Sequence, residues 1–319
     1  MKDPVFRSSL GRQMADFVAW QRAQGFAYAS GAECLRYFDR FLGAQGYQQT
    51  QLDRQIVDAY QQTLDPLSAY TQANRLTVLR VFSRFLRQTQ PTSYVPYDLS
   101  VKRPASSCWY LYSSQEIAIL LQAALALGPR GSLRPHSLHL LLGLLYVTGL
   151  RIGEALALNL EDLDGQAGRL FVRRGKFGKS RYVPLHPSTS PVIDHYLRRR
   201  RACGPAGRQA PVFIDQRGQR LTYKRVHWTF DRMLRRHGLG QHAPRRPRLH
   251  DLRHTFACNC LELWRQQGLD VNAKLPVLAT VMGHVEIEST QLYLHVTAAD
   301  LRQAADRFHA HCHQPTKGL

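Results

Sequence analysis

The sequence predicts a mainly α-helical protein with a small antiparallel β-sheet, arranged as two domains. Three observations lead there. Apolar residues recur at helical spacing through the first hundred residues; a stretch rich in Gln, Pro, Thr and Ser interrupts that pattern near residue 90; and one pair of alternating, β-rich segments flanks Gly175 to Gly178 within an otherwise helical second half.

In the first part, the runs around Met14, Phe17, Val18 and Trp20, around Cys34, Tyr37, Phe38 and Phe41, from Ile56 to Leu64 and from Ala69 to Leu86 predict four helices. Gly25 and Gly46 follow two of these runs, where a left-handed cap is wanted. Pro91, Pro96 and Pro104 then disfavour both helix and central strand, which predicts a linker over 93–108 between domains at 1–92 and 109–319. Ser113 and Glu116 have capping-box spacing and open a helix toward Leu127. A buried helix follows from His136 to Val147, ended at Gly149, and Arg151 opens a short one. Arg169 to Arg174 and Ser180 to Leu185 read as a hairpin whose turn displays Lys176. Helices return at Pro191 to Arg201, Val226 to His237, Leu249 to Gln267, Pro276 to Met282, Ser289 to Val296 and Ala299 to His311.

Charge narrows the partner. The 319 residues carry 43 Lys+Arg against 23 Asp+Glu, a formal net charge of +20. Residues 1–100 hold 11 basic and 8 acidic side chains, so +17 falls on the remainder. From Arg169 to Arg248 there are 21 Lys+Arg and only Asp194, Asp215 and Asp231 as acids. An excess so concentrated, and so rich in arginine, predicts a surface facing a polyanion, with phosphates gripped by guanidinium forks. The apolar run Leu140 to Leu150 lies between His139 and Arg151 and falls short of the ~20 residues a bilayer requires. Met1 to Val5 opens no export signal, so a soluble, cytoplasmic protein is expected. Six scattered cysteines predict free thiols. Cys258 and Cys260 are two apart on a helix and face different ways, which excludes a metal clamp there. The tail His309-Ala310-His311-Cys312-His313 holds ligand types without an opposing pair, so no metal is expected.

Four strings remain: Gly149-Leu150-Arg151-Ile152-Gly153-Glu154, Gly175-Lys176-Phe177-Gly178-Lys179, His250-Asp251-Leu252-Arg253-His254, and Met282-Gly283-His284 followed by Thr290 to His295. Singly each is weak: Tyr293 reads more readily as an amphipathic-helix aromatic, Lys176 as a turn lysine and His284 as an N-cap before Glu286. Together and in this order they resemble the tyrosine recombinase (phage integrase) family. The resemblance implies a helical core-binding (SAM-like) DNA-binding domain at 1–92 and a catalytic domain at 109–319. It also implies an active site of Arg151, Lys176, His250, Arg253, His284 and Tyr293.

What the resemblance implies for these residues is chemically coherent. In-line attack on a phosphodiester spreads charge over its equatorial oxygens, which Arg151 and Arg253 neutralise without a metal. A phenol of pKa ~10 needs a base, for which His250 is the candidate. Lys176 is placed to protonate the departing 5′ oxygen and His284 to donate a hydrogen bond to the phosphate. Glu154 is expected to orient an arginine. The product is a 3′-phosphotyrosine, whose bond energy supports strand exchange without ATP.

The expected activity is therefore site-specific recombination or integration on double-stranded DNA, by a homotetramer holding two sites, with no cofactor and no membrane partner. Two alternatives stay open: a DNA-binding regulator that keeps the fold without catalysis, and type IB topoisomerase-like relaxation. The 34-residue interval from His250 to His284 and the string Ala273-Lys274-Leu275-Pro276 look like transposon-associated recombinases and favour a mobile-element enzyme. The segment Ala299 to His311 is expected to be an assembly helix.

Overall fold

A computed structural model describes residues 4–98, 109–129, 131–164, 167–173, 179–284 and 288–295. The chain divides into two compact units, Met1–Ser107 and Cys108–Leu319.

The first unit is built from α1 (Gly11–Ala23), α2 (Ala29–Ala44), α3 (Arg54–Gln62) and α4 (Ala69–Thr89). Their apolar stripes meet in one core around Phe17, Leu35, Phe38, Val57, Leu79 and Phe82. Gly25 and Gly46 take the positive φ values expected of them, 89° and 60°. Asp53 caps α3, accepting from the Ile56 N–H at 2.8 Å, and Ser68 caps α4. The beginning of the expected linker lies on this core. Tyr94 N–H bonds the Leu52 carbonyl, Arg80 Nε reaches the Pro96 carbonyl, and Ser93 and Val95 are buried. Residues 99–108 lie outside the described residues.

The second unit opens with α5 (Ser114–Leu125), whose capping box forms as the Ser113 and Glu116 spacing requires. Next comes α6 (Arg134–Thr148), apolar on nearly every face because it is enclosed by its neighbours. Its leucines 138, 140, 141, 142, 144 and 145 form the centre of the main core. Gly149, with φ 63°, ends α6 and lets the chain turn directly into α7 (Ile152–Ala157). The hairpin is β2 (Arg169–Val172) and β3 (Arg181–Pro184), paired antiparallel with Leu170 opposite Val183. A short edge strand, β1 (Leu163–Asp164), completes a three-stranded sheet that alternation in the sequence does not announce.

The remaining helices are α8 (Ser190–Arg201), α9 (Tyr223–Arg236), α10 (Leu249–Gln266), α11 (Val271–Met282) and α12 (Glu288–Gln291), the last continued by a 3₁₀ turn Leu292–His295. Two of them start three or more residues ahead of expectation. Helix α9 begins at Tyr223 rather than Val226. Helix α11 begins five residues before Pro276, because the Asp270 carboxylate accepts from the Asn272 and Ala273 N–H groups and nucleates the turn upstream of the proline. Among the described residues Cys34, Cys203, Cys258 and Cys260 form no disulfide. Among the described residues no helix is long and apolar enough to cross a membrane. The hairpin turn 174–178, the expected helix 299–311 and the His/Cys tail lie outside the described residues.

Candidate active site

Helix α10 supplies the centre of the site through its first turn. Asp251 is fully buried and accepts from the Arg248 N–H at 2.7 Å and from Arg245 Nη2 at 2.8 Å, which satisfies the helix start with a carboxylate. The same turn presents His250, Arg253 and His254. Arg253, 2% exposed, donates from Nη1 to the Gly149 carbonyl at 2.6 Å and from Nη2 to the Met282 carbonyl at 2.8 Å. These carbonyls lie at the C-terminal ends of α6 and α11, where the helix dipoles are negative, so a guanidinium can be buried there without a carboxylate of its own.

Both helices end in a left-handed glycine, and both glycines are needed for space as well as for φ. A Cβ at Gly149 would sit 2.3 Å from the Phe256 ring, and one at Gly283 would sit 2.6 Å from the Arg181 guanidinium.

Arg151 precedes α7 and donates from Nη2 to the Gly283 carbonyl at 3.0 Å and from Nη1 to Glu154 Oε1 at 2.9 Å. Glu154 also accepts from Arg181, at 3.1 Å (Nη1) and 2.8 Å (Nη2), while Arg181 Nε bonds the Val281 carbonyl at 2.8 Å. One carboxylate therefore fixes two arginines, in keeping with the orienting role expected of Glu154, and the second of them is Arg181. Burial works against its ionisation, but the hydrogen bonds from Arg181 and from the Arg151 backbone prevail and hold its pKa down at about 2.

The phenol of Tyr293 enters this cluster from the 3₁₀ turn after α12. Its ring is 3% exposed, and its hydroxyl lies 2.9 Å from His254 Nδ1. His284 stands nearly parallel to that ring with centroids 6.3 Å apart, and its Nδ1 pairs with Thr290 Oγ1 at 2.7 Å. His250 meets His254 edge to face at 4.7 Å and keeps part of its own ring in solvent. The imidazole in hydrogen-bond contact with the phenol is therefore His254, four residues along the helix from the His250 expected to act as base.

Five of the six expected residues, Arg151, His250, Arg253, His284 and Tyr293, thus belong to one interconnected cluster. Lys176 lies outside the described residues. Arg181 and Trp109 join the cluster without having been expected there. A signal for Arg181 existed: it shares a strand face with buried Val183, where an arginine requires a partner. Trp109 offered none.

The electrostatics follow from crowding cations in a poorly hydrated site. Burial first, then the neighbouring guanidinium of Arg253, lowers His250 and His284 to about 4. Burial, then His250, lowers His254 to about 3. All three imidazoles are neutral at pH 7. Tyr293 is pushed up to about 12 by burial, against the pull of Arg253 and Arg151. Arg253 falls to about 10, through burial and then Arg151, and stays charged.

These shifts predict an acid-labile fold. His254 binds a proton in the unfolded chain below pH ~6.5 but in the folded chain only near 3. The unfolded state therefore binds more protons, and stability falls as pH drops through that window. For this residue, which is 8% exposed, the loss from pH 7 to pH 5 is about 2 kcal/mol. That is roughly 4–8 °C in Tm for a unit of this size. His250 and His284 act in the same direction over 6.5 to 4. Thermal denaturation at the two pH values checks this, and a midpoint that is flat or rises toward pH 5 contradicts it.

Arginines, neutral imidazoles and a buried phenol thus converge on one spot. The model of the phage integrase family matches residues 113–300. An integrase/recombinase of Sinorhizobium fredii, y4rB, is 36% identical over 306 residues, covering 94% of this chain and 97% of the relative. The tyrosine recombinase XerD of Caulobacter vibrioides is 32% identical, covering 84% and 85%. Among solved structures, the Tn1549 transposon integrase in complex with transposon right end DNA shares the fold at TM-score 0.67 and 18% identity, covering 94% of this chain and 99% of that one. XerH recombinase bound to its difH substrate does so at TM-score 0.63 and 21% identity, covering 94% and 84%. The chain belongs to the phage integrase family and is a tyrosine-type site-specific recombinase.

Proposed function

We propose that this recombinase cleaves and rejoins double-stranded DNA through a 3′-phosphotyrosine formed on Tyr293, without metal or ATP. The observation that carries the reading is the Tyr293 hydroxyl, hydrogen-bonded to His254 at 2.9 Å beside the buried guanidinium of Arg253. Arg151 and Arg253 take the charge that develops on the non-bridging oxygens of the phosphate, and Glu154 holds Arg151 in register. His284, whose Nδ1 is engaged by Thr290, offers Nε2 to a phosphate oxygen. The phenolic proton passes to the imidazole pair His254 and His250, neutral and therefore able to accept it. The phenolate oxygen bonds to phosphorus, the bond from phosphorus to the 5′ oxygen breaks, and Lys176 supplies the proton to that oxygen. A 5′ hydroxyl of another strand then reverses the sequence, regenerating a phosphodiester and the free tyrosine. Because the ester bond is conserved throughout, no external energy source enters the scheme.

The working unit is a homotetramer that synapses two DNA sites, and the substrate is a mobile genetic element. The Tn1549 integrase, a transposon enzyme, shares the fold and supports that branch. Duplexes from the DNA flanking the coding region, nicked next to the cleavage point so that the released fragment diffuses away, should trap a covalent protein–DNA adduct. The absence of an adduct across that region favours the regulator alternative. Relaxation of supercoils without exchange between two sites favours the topoisomerase alternative. Binding should weaken steeply with salt, by about 10³-fold or more between 50 and 200 mM if six or more phosphates are neutralised; a salt-independent affinity contradicts the basic clamp.

A further inference from the structure

The turn that carries Tyr293 is short: α12 has four residues and the 3₁₀ turn another four. So brief a segment gains little from its own backbone bonds, and the position of its side chains is set by what they pack against. Tyr293 joins an apolar cluster with Ala257, Leu261, Leu278 and Met282, and three rings meet its phenol. His284 lies over one side of the phenol, His254 takes its hydroxyl, and Trp109 touches both partners of that hydrogen bond. The Trp109 indole is stacked on the His254 imidazole with centroids 4.9 Å apart and planes 9° from parallel, and it leans on the Tyr293 ring at 5.0 Å and 49°. These are favourable aromatic geometries.

The consequence is positional. An imidazole at the surface of a helix can rotate about two side-chain bonds, and only one orientation aims Nδ1 at the phenol. A parallel indole face fixes the plane of that ring, and the same indole blocks sideways departure of the phenol. Trp109 lies 145 positions before His254 and outside every motif of the site. It also stands at the very start of the second unit, one position after Cys108.

We infer that Trp109 is a positioning residue of this recombinase: acting through His254, it seats the Tyr293 hydroxyl for attack on the phosphate. The inference rests on the proposed role of Tyr293 as nucleophile, and its test separates the two. Full-length Trp109→Ala and Trp109→Phe are compared with the unaltered chain in two measurements. The first is the single-turnover rate of adduct formation on the nicked flanking duplex, followed over a range of DNA concentrations. Trp109→Ala should lower the maximal rate 10-fold or more, with the half-saturating DNA concentration unchanged within about twofold, since the role assigned to the indole is to hold His254 and Tyr293 rather than the phosphate. Trp109→Phe, which keeps an aromatic face, should recover the rate to within about threefold.

The second measurement needs no DNA. Amide hydrogen exchange in 288–295 should accelerate about 10-fold or more in Trp109→Ala, while α5 and α6 keep their protection. An unchanged maximal rate, or unchanged exchange in 288–295, overturns the inference. So does a loss of protection throughout the unit in Trp109→Phe, which would make Trp109 a general core residue. If the unaltered chain forms no adduct, the nucleophile reading fails, and exchange alone decides whether Trp109 seats the segment.

Discussion

Tyr293→Phe is expected to abolish the covalent protein–DNA adduct while leaving DNA affinity within about twofold of the unaltered chain. The substitution removes one oxygen and nothing else. The ring keeps its packing against His284 and Trp109, and the guanidinium groups that would meet the phosphate stay anchored on helix-end carbonyls and on Glu154. The neutral His254 loses a hydrogen-bond partner, at a cost of about 1–3 kcal/mol if nothing replaces it, which the unit should tolerate. Chemistry is another matter, because among the described residues the hydroxyl held on the His254 imidazole is that of Tyr293. Adduct formation should fall by about 10⁴-fold or more, as when a nucleophile is deleted from a cooperating set. Denaturing electrophoresis of the trapped nicked duplex reads this directly, and an adduct persisting in the variant assigns the nucleophile elsewhere.

The second large effect is expected at Arg253. Its guanidinium spans two helix ends with two nitrogens, at 2.6 and 2.8 Å, and so has a fixed plane before any substrate arrives. Lysine in Arg253→Lys keeps the charge but concentrates it on one nitrogen, which cannot bridge both carbonyls and also face a phosphate. Losing one preorganised donor at a charge-developing oxygen costs roughly 10²–10³ in rate, about 2.7–4 kcal/mol. One buried carbonyl is also left without its donor, a further ~1–3 kcal/mol of stability. The expected result is a cleavage rate lowered by about 10²-fold or more together with a lower Tm. A variant that cleaves at the unaltered rate shows that Arg253 serves the fold alone.

Much of this architecture is legible in the amino-acid sequence. The capping box at Ser113 and Glu116, the apolar run of α6 with its terminal glycine and the alternation around the hairpin are local patterns, and each produces the element it announces. The motif residues are legible because their types and order match one family. The departures are local in cause as well. Helix α11 starts early because an Asp270 cap outweighs the break expected at Pro276. The edge strand β1 has two residues, too few to alternate.

By itself the sequence determined the helices and hairpin and the basic character of the second half, since helical and strand periodicity and charge are properties of neighbouring positions, while the residues proposed to meet at the phosphate were named through the resemblance of their motifs to one family. Only the tertiary structure decided that Arg181 shares Glu154 with Arg151, that His254 rather than His250 holds the Tyr293 hydroxyl, and that Trp109 lies against both. Those pairings join positions 27, 39 and 145 or more residues apart. They are set by how the core closes around α6, and no spacing along the chain encodes which buried faces then come together.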